Sequence, residues 1–155
     1  MNYRIIYFLA GAILILSCRG KYNFIKYDNG LWYYIQHEGD GETIQPMQTV
    51  KLRLKQVYKD SVLRDMTDSL PYYQVQDSTQ LSKPAFTIFS QVRKGDSIVF
   101  KALTDSVFKD KMPPFARKGQ WLYTHVYIEE VFVVGEDYRE DMKREMRKRN
   151  IPVPE

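Results

Sequence analysis

Cysteine is nearly absent. The 155-residue chain has one, Cys18, so it can form neither an internal disulfide nor a multi-cysteine zinc site. Histidine is almost as scarce: His37 and His125 are too few for a histidine-rich metal centre. Both fall on polar positions of predicted strands, where an ordinary half-exposed histidine is expected. No G-x-S-x-G, Walker loop or Rossmann glycine fingerprint occurs, which argues against a serine hydrolase, a nucleotidase and a dinucleotide-binding enzyme. Asp60, Asp65 and Asp68 lack the spacing and closing glutamate of a calcium loop. No metal and no cofactor are therefore expected. The net charge is only +4, with basic residues interleaved with acids, so no nucleic-acid patch is expected either. The length suits one domain.

Long apolar runs are also missing, with one exception. Ile5 to Leu16 is apolar throughout and follows an n-region with a single base, Arg4. As a helix it rises about 18 Å, short of the roughly 30 Å of a hydrocarbon core, and so has the dimensions of a signal h-region. It ends Ile15-Leu16-Ser17-Cys18, which resembles a bacterial lipobox. Residues 1–17 then read as a lipoprotein signal peptide, Cys18 as the lipidated first residue of the mature chain and residues 18–29 as a tether. The alternative is an uncleaved anchor with an incidental cysteine. Inner-membrane lipoproteins often carry Asp after the cysteine. Arg19 stands there instead, which favours a lipid anchor in the outer membrane facing the periplasm.

What the rest of the chain does contain is alternation. Leu31 to His37 is rich in aromatic and branched residues and reads as a strand, broken at Gly39-Asp40-Gly41. Val50, Leu52 and Leu54 alternate with Lys51, Arg53 and Lys55, the pattern of a half-buried antiparallel strand. Tyr58 to Ser61 reads as a hairpin connection, with short strands at Ser61–Asp65 and Tyr72–Val75. Pro84 opens a helical period through Phe86, Phe89 and Val92, closed at Gly95, for a helix of about ten residues. Ser97 to Leu103 returns to strand. Trp121 to Val134 is a long strand with Leu122, Thr124, Val126 and Ile128 on one face. Residues 135–155 form a charged helix and tail, acids first and bases last, complementing the helix dipole. Glu140–Arg144 and Glu145–Arg149 are spaced as i,i+4 pairs. This helix reads either as a solvated appendage or as a partner-binding element.

The order of these landmarks resembles the FKBP-type peptidyl-prolyl cis-trans isomerases, in particular divergent lipoprotein members from Bacteroidetes-like bacteria. The matching residues are Gly30-Leu31 before an aromatic strand, the Gly39-Asp40-Gly41 turn and the alternating strand from Val50. They continue with the hairpin leading to Asp65, the Gly95-Asp96 step after a helix, and Pro113-Pro114 before the last strand. The resemblance covers about residues 30–132, within a domain read as residues 30–134. It implies an α+β fold in which an antiparallel sheet of about five strands curls round one short helix. It also implies an isomerase, or rotamase, that assists folding of cell-envelope proteins and takes proline-containing unfolded or extended polypeptides as partners. A chaperone or peptide-binding lipoprotein that keeps the groove without catalysis is the alternative.

Carried over residue by residue, the resemblance makes Asp65 the pocket aspartate. It puts Phe108 where the family has a tyrosine, with the hydroxyl missing. Leu54, Leu63, Phe86, Phe115 and Thr124 are the implied substrate-binding residues. Leu54 and Thr124 replace aromatics, Arg64 stands at the aromatic before the aspartate, and Ala85 occupies the position of the floor tryptophan. On their own, the apolar residues of this set also read as core packing, and Asp65 as a turn or cap residue. The implied chemistry is rotation about an X-Pro bond, which needs no nucleophile. At the twisted transition state amide resonance is lost and the group is less dipolar, so a dry apolar pocket favours it over the planar amide.

Overall fold

A computed structural model describes residues 23–27 and 30–153. The signal segment and Cys18 lie outside the described residues. In chain order the elements are β1 (Ile25–Lys26), β2 (Trp32–Gln36), β3 (Thr49–Tyr58), β4 (Ser61–Asp65), β5 (Tyr72–Val75), α1 (Lys83–Phe89), β6 (Ser97–Leu103), α2 (Thr104–Phe108), β7 (Trp121–Phe132) and α3 (Tyr138–Lys148). The seven strands make one antiparallel sheet in the order β1-β2-β6-β7-β3-β4. β5 shares the outer edge of β3 with β4, pairing residues 49–52 while β4 pairs residues 55–58. The α+β architecture is as expected. The sheet has seven strands where the resemblance implied about five: β4 and β5 stand where short strands were read, and β1 forms within the segment read as tether.

Strand alternation sets the core. Tyr33, Ile98, Val126, Leu52 and Val50 point from adjacent strands toward Ile88 and Phe89 of α1, with Ile44, Val92 and Ile128 closing the cluster. Burying a side chain such as Ile88 or Ile98, both wholly inaccessible, stabilises by about 2 kcal/mol. Ser82 caps α1 by accepting from the Ala85 N–H at 3.4 Å, and Pro84 stands in the first turn, where a missing N–H costs nothing. α1 is shorter than expected. It stops at Phe89, but turns through Gln91 and Val92 continue the coil and still bury Val92.

The entry to β6 is clasped to the end of β2. Asp96, with 0% exposure, accepts from His37 Nδ1 at 2.9 Å and from the N–H groups of Glu38, Gly39 and Arg93 at 2.9–3.1 Å. Burial pushes its carboxyl up, and the bonds from Gly39, His37 and Arg93 outweigh that, leaving it below the usual range. Gly39 sits so close that a Cβ there would run into the Lys94 carbonyl, and its own Cα lies 3.0 Å from where a Cβ on Gly95 would stand. Gly95 also has φ +87°, a conformation that favours glycine.

α3 is not a solvated appendage. It docks on the sheet face opposite α1, through Tyr73 stacked on Tyr138 at 5.8 Å and Tyr73 Oη donating to Asp141 at 2.6 Å. Lys51 Nζ lies 2.9 Å from Asp141 and 3.0 Å from Glu145, and Glu145 is only 5% exposed. The expected Glu145–Arg149 pair forms. Arg144 pairs with Asp141 and Lys143 with Glu140 instead of the expected Glu140–Arg144 pair, because Asp141 is held against the sheet. Among the described residues no helix is long and apolar enough to cross a membrane.

Candidate functional site

The α1-facing side of the sheet carries two apolar clusters with a polar seam between them. Leu54, Phe100 and Ala85 pack against the main core. Tyr58, Leu122 and Ala116 form a second cluster, with Phe108 and Met112 against it. Between them, Gln56 stands opposite Thr124 in the β3–β7 ladder and donates to its hydroxyl at 3.4 Å. α2 and the loop after it supply the aromatic edge. Phe108 meets Phe115 edge-on at 6.3 Å, and Phe115 meets Tyr58 at 6.1 Å. Tyr58 Oη accepts from the Arg117 N–H at 3.1 Å, which fixes the loop over the sheet. Phe115 stays 54% exposed despite both ring contacts.

The structure thus brings Leu54, Thr124, Phe108 and Phe115 to one side of the sheet. Phe86 is half-buried and does not join the main core; its neighbour Ala85 does. Leu63 is exposed at the sheet edge. Asp65 is on the other face. A two-residue turn pairs Tyr58 with Ser61 and Val57 with Val62, and Leu63 then bulges out, so Gln56 meets Arg64 and Lys55 meets Asp65. Without that bulge Asp65 would stand opposite Leu54. The Asp65 carboxylate instead accepts from the Thr67 hydroxyl and N–H and pairs with Lys55 at 3.0 Å. These partners, Thr67 first, bring its pKa down to about 2.

Gln56 and Tyr58 were not singled out in the sequence as site residues, and Arg64 was noted only as replacing an aromatic. Carrying the Val50-Leu52-Leu54 alternation two steps further would have found the first two. Arg64 faces the α1 side at the rim, where Nη2 donates to Tyr72 Oη at 2.6 Å.

A cavity of about 580 Å³ opens on the opposite face, lined by Gln36, Arg53, Lys55, Val99, His125 and Tyr127. Its two cations are committed. Arg53 Nη1 donates to the carbonyls of Met66, Thr67 and Ser69 at 2.8–2.9 Å, Nε pairs with Glu129, and Lys55 holds Asp65. Among the described residues no group of three or more His, Cys, Asp or Glu is placed to hold a metal.

No family model and no curated protein matches the sequence. Solved structures do resemble the fold. FkpA from Escherichia coli superposes with a TM-score of 0.50 at 18% identity, over 72% of this chain and 52% of that one. The N-terminal domain of FKBP42 from Arabidopsis thaliana gives 0.50 at 15% identity, over 76% and 98%. A multi-domain immunophilin from Arabidopsis thaliana gives 0.52 at 16%, over 83% and 53%. The chain spans about half the length of FkpA and of the multi-domain immunophilin. At these identities the likeness is one of architecture: the chain has the FKBP-type fold.

Proposed function

We propose that this protein is a lipid-anchored peptidyl-prolyl cis-trans isomerase of the FKBP type. It takes extended, proline-containing segments of envelope proteins at the α1-facing side of its sheet. The observation that carries this reading is Phe115, a large ring left 54% exposed while held edge-on by Phe108 and Tyr58 beside the Leu54–Thr124 surface. Such a ring offers a prolyl residue a rigid apolar wall. Catalysis would come from removing water around an amide that loses polarity as it twists. With Phe108 lacking a hydroxyl and Asp65 on the far face, no side chain from the implied pair polarises the substrate, so turnover is slow. Lipid attachment at Cys18 and a periplasm-facing outer-membrane location complete the reading. The experiment is a protease-coupled proline-isomerisation assay with the full chain. A rate equal to that of buffer overturns the enzyme.

A second reading is favoured by the Gln56–Thr124 seam and by the position of Asp65. In it the same surface holds extended chain as a chaperone and does not speed rotation. Suppression of aggregation of an unfolded client, with no gain in isomerisation rate, would select it.

A further inference from the structure

The sheet face turned away from Phe108 and Phe115 carries, at its β1 end, a dense aromatic and basic patch. Lys101 Nζ sits 4.2 Å from the ring centre of Phe24, 4.8 Å from Trp32 and 4.9 Å from Trp121. Trp32 and Trp121 meet edge-on at 6.5 Å, Tyr123 lies 6.4 Å from Phe24, and Lys26 Nζ is 5.9 Å from Trp32. Register explains the gathering. Trp32 pairs with Lys101 and Lys101 with Tyr123, so one row across three strands points outward together, and Lys26 pairs with Trp32 from β1. The patch holds both tryptophans of the chain.

Where the chain enters matters as much as what the patch contains. From Cys18 to Phe24 an extended chain reaches only about 20 Å. Within that reach it carries Arg19 and Lys21, adding to the positive charge of Lys26 and Lys101.

The geometry points to this face as a membrane-contact surface that lies on the headgroup layer of an anionic bilayer. Indole and phenol rings are stable there because each joins an apolar body to a polar tip. Lysine stems can lie along the rings while their ammonium groups meet lipid phosphate. The inference rests on the lipid attachment proposed at Cys18, which brings the patch to the bilayer. It adds an orientation: with the Trp32–Trp121 face down, the Phe115 side opens away from the membrane.

The two tryptophans make the test direct, since the intrinsic emission comes from this patch. The full chain, purified from membranes, is examined by mass spectrometry for acylation of Cys18. It is then reconstituted into phosphatidylcholine–phosphatidylglycerol vesicles with and without lipids brominated near the headgroup. The expected result is an acylated chain whose emission shifts blue and is quenched by the brominated lipid, while aqueous iodide quenches poorly. The Lys26→Glu variant should lose most of the lipid quenching while its circular dichroism is unchanged. An acylated, vesicle-bound chain whose tryptophans answer to iodide and not to brominated lipid overturns the orientation alone, and leaves the face to a soluble partner. A chain without acyl groups overturns the attachment and the orientation with it.

Discussion

Asp65 faces Lys55 across the β3–β4 hairpin, 3.0 Å from carboxylate to ammonium, and not Leu54. One bulged residue, Leu63, makes the difference. It follows that Asp65→Asn should leave peptide capture and isomerisation rate as they are in the unaltered chain, with little change in folding. Deleting Leu63 would be the informative counterpart, because a one-residue slip carries the aspartate to the opposite side. The paired assays are proline isomerisation and a urea melt; a rate that falls in Asp65→Asn places the carboxylate back in the chemistry.

The same hairpin marks what can be read from sequence and what cannot. Alternation placed β3, β6 and β7 and sorted the two faces of β7 correctly, because period two survives wherever one face is buried. A bulge carries no composition signal, so every residue beyond it is assigned to the wrong side. α3 misled for another reason. Its charges look solvated because the cation that binds Asp141 and Glu145 is Lys51, distant in sequence and hidden in a strand that reads as polar-out. β1, two residues long, has no period to detect.

Phe115→Ala should weaken binding of a proline-containing peptide about tenfold, on the order of 1.4 kcal/mol, while the melting midpoint stays nearly constant because the ring is largely exposed. Fluorescence anisotropy of a labelled peptide reads the affinity. An unchanged affinity moves the binding surface elsewhere.

Lys51 neutralises two acids that α3 has carried onto the sheet. Lys51→Met removes the cation on the sheet side and leaves Arg144 on Asp141 and Lys148 and Arg149 on Glu145, so it should cost about 2 kcal/mol of folding stability. Adding Asp141→Asn and Glu145→Gln to that variant should restore most of the loss. Urea denaturation of the single and triple variants gives both numbers.

Acid should loosen α3 first. Burial pushes the Asp141 and Glu145 carboxyls up, but hydrogen bonds prevail: from Tyr73, Arg144 and Lys51 on the first, and from Lys51, Arg149 and Lys148 on the second. Each carboxyl ends at about 2, against ordinary values of 3.8 and 4.5. Both folded values are depressed, so the stabilisation is complete above the ordinary values. It declines as pH falls below about 4.5 and is gone near 2. Urea midpoints measured across this window should fall steeply for the unaltered chain and more gently for the Asp141→Asn, Glu145→Gln variant.

Gly39→Ala should be among the most damaging single changes, at about 3 kcal/mol, because the new methyl meets the backbone of Lys94 and not a side chain that can swing aside. Thermal unfolding tests this. Gly41→Ala, where a Cβ meets nothing but the backbone has φ +82°, isolates the conformational cost for comparison.

Arg53 holds the carbonyls of Met66, Thr67 and Ser69 with one nitrogen, and a second stands 3.6 Å from Glu145 on α3. One guanidinium therefore ties the chain's last helix to the turn that leaves the β3–β4 hairpin. A tug on the tail, whether from a fused domain or a docked protein, is delivered through that cation to the strand edge bearing Arg64 and Tyr72. The C-terminal helix is in this sense a handle on that rim.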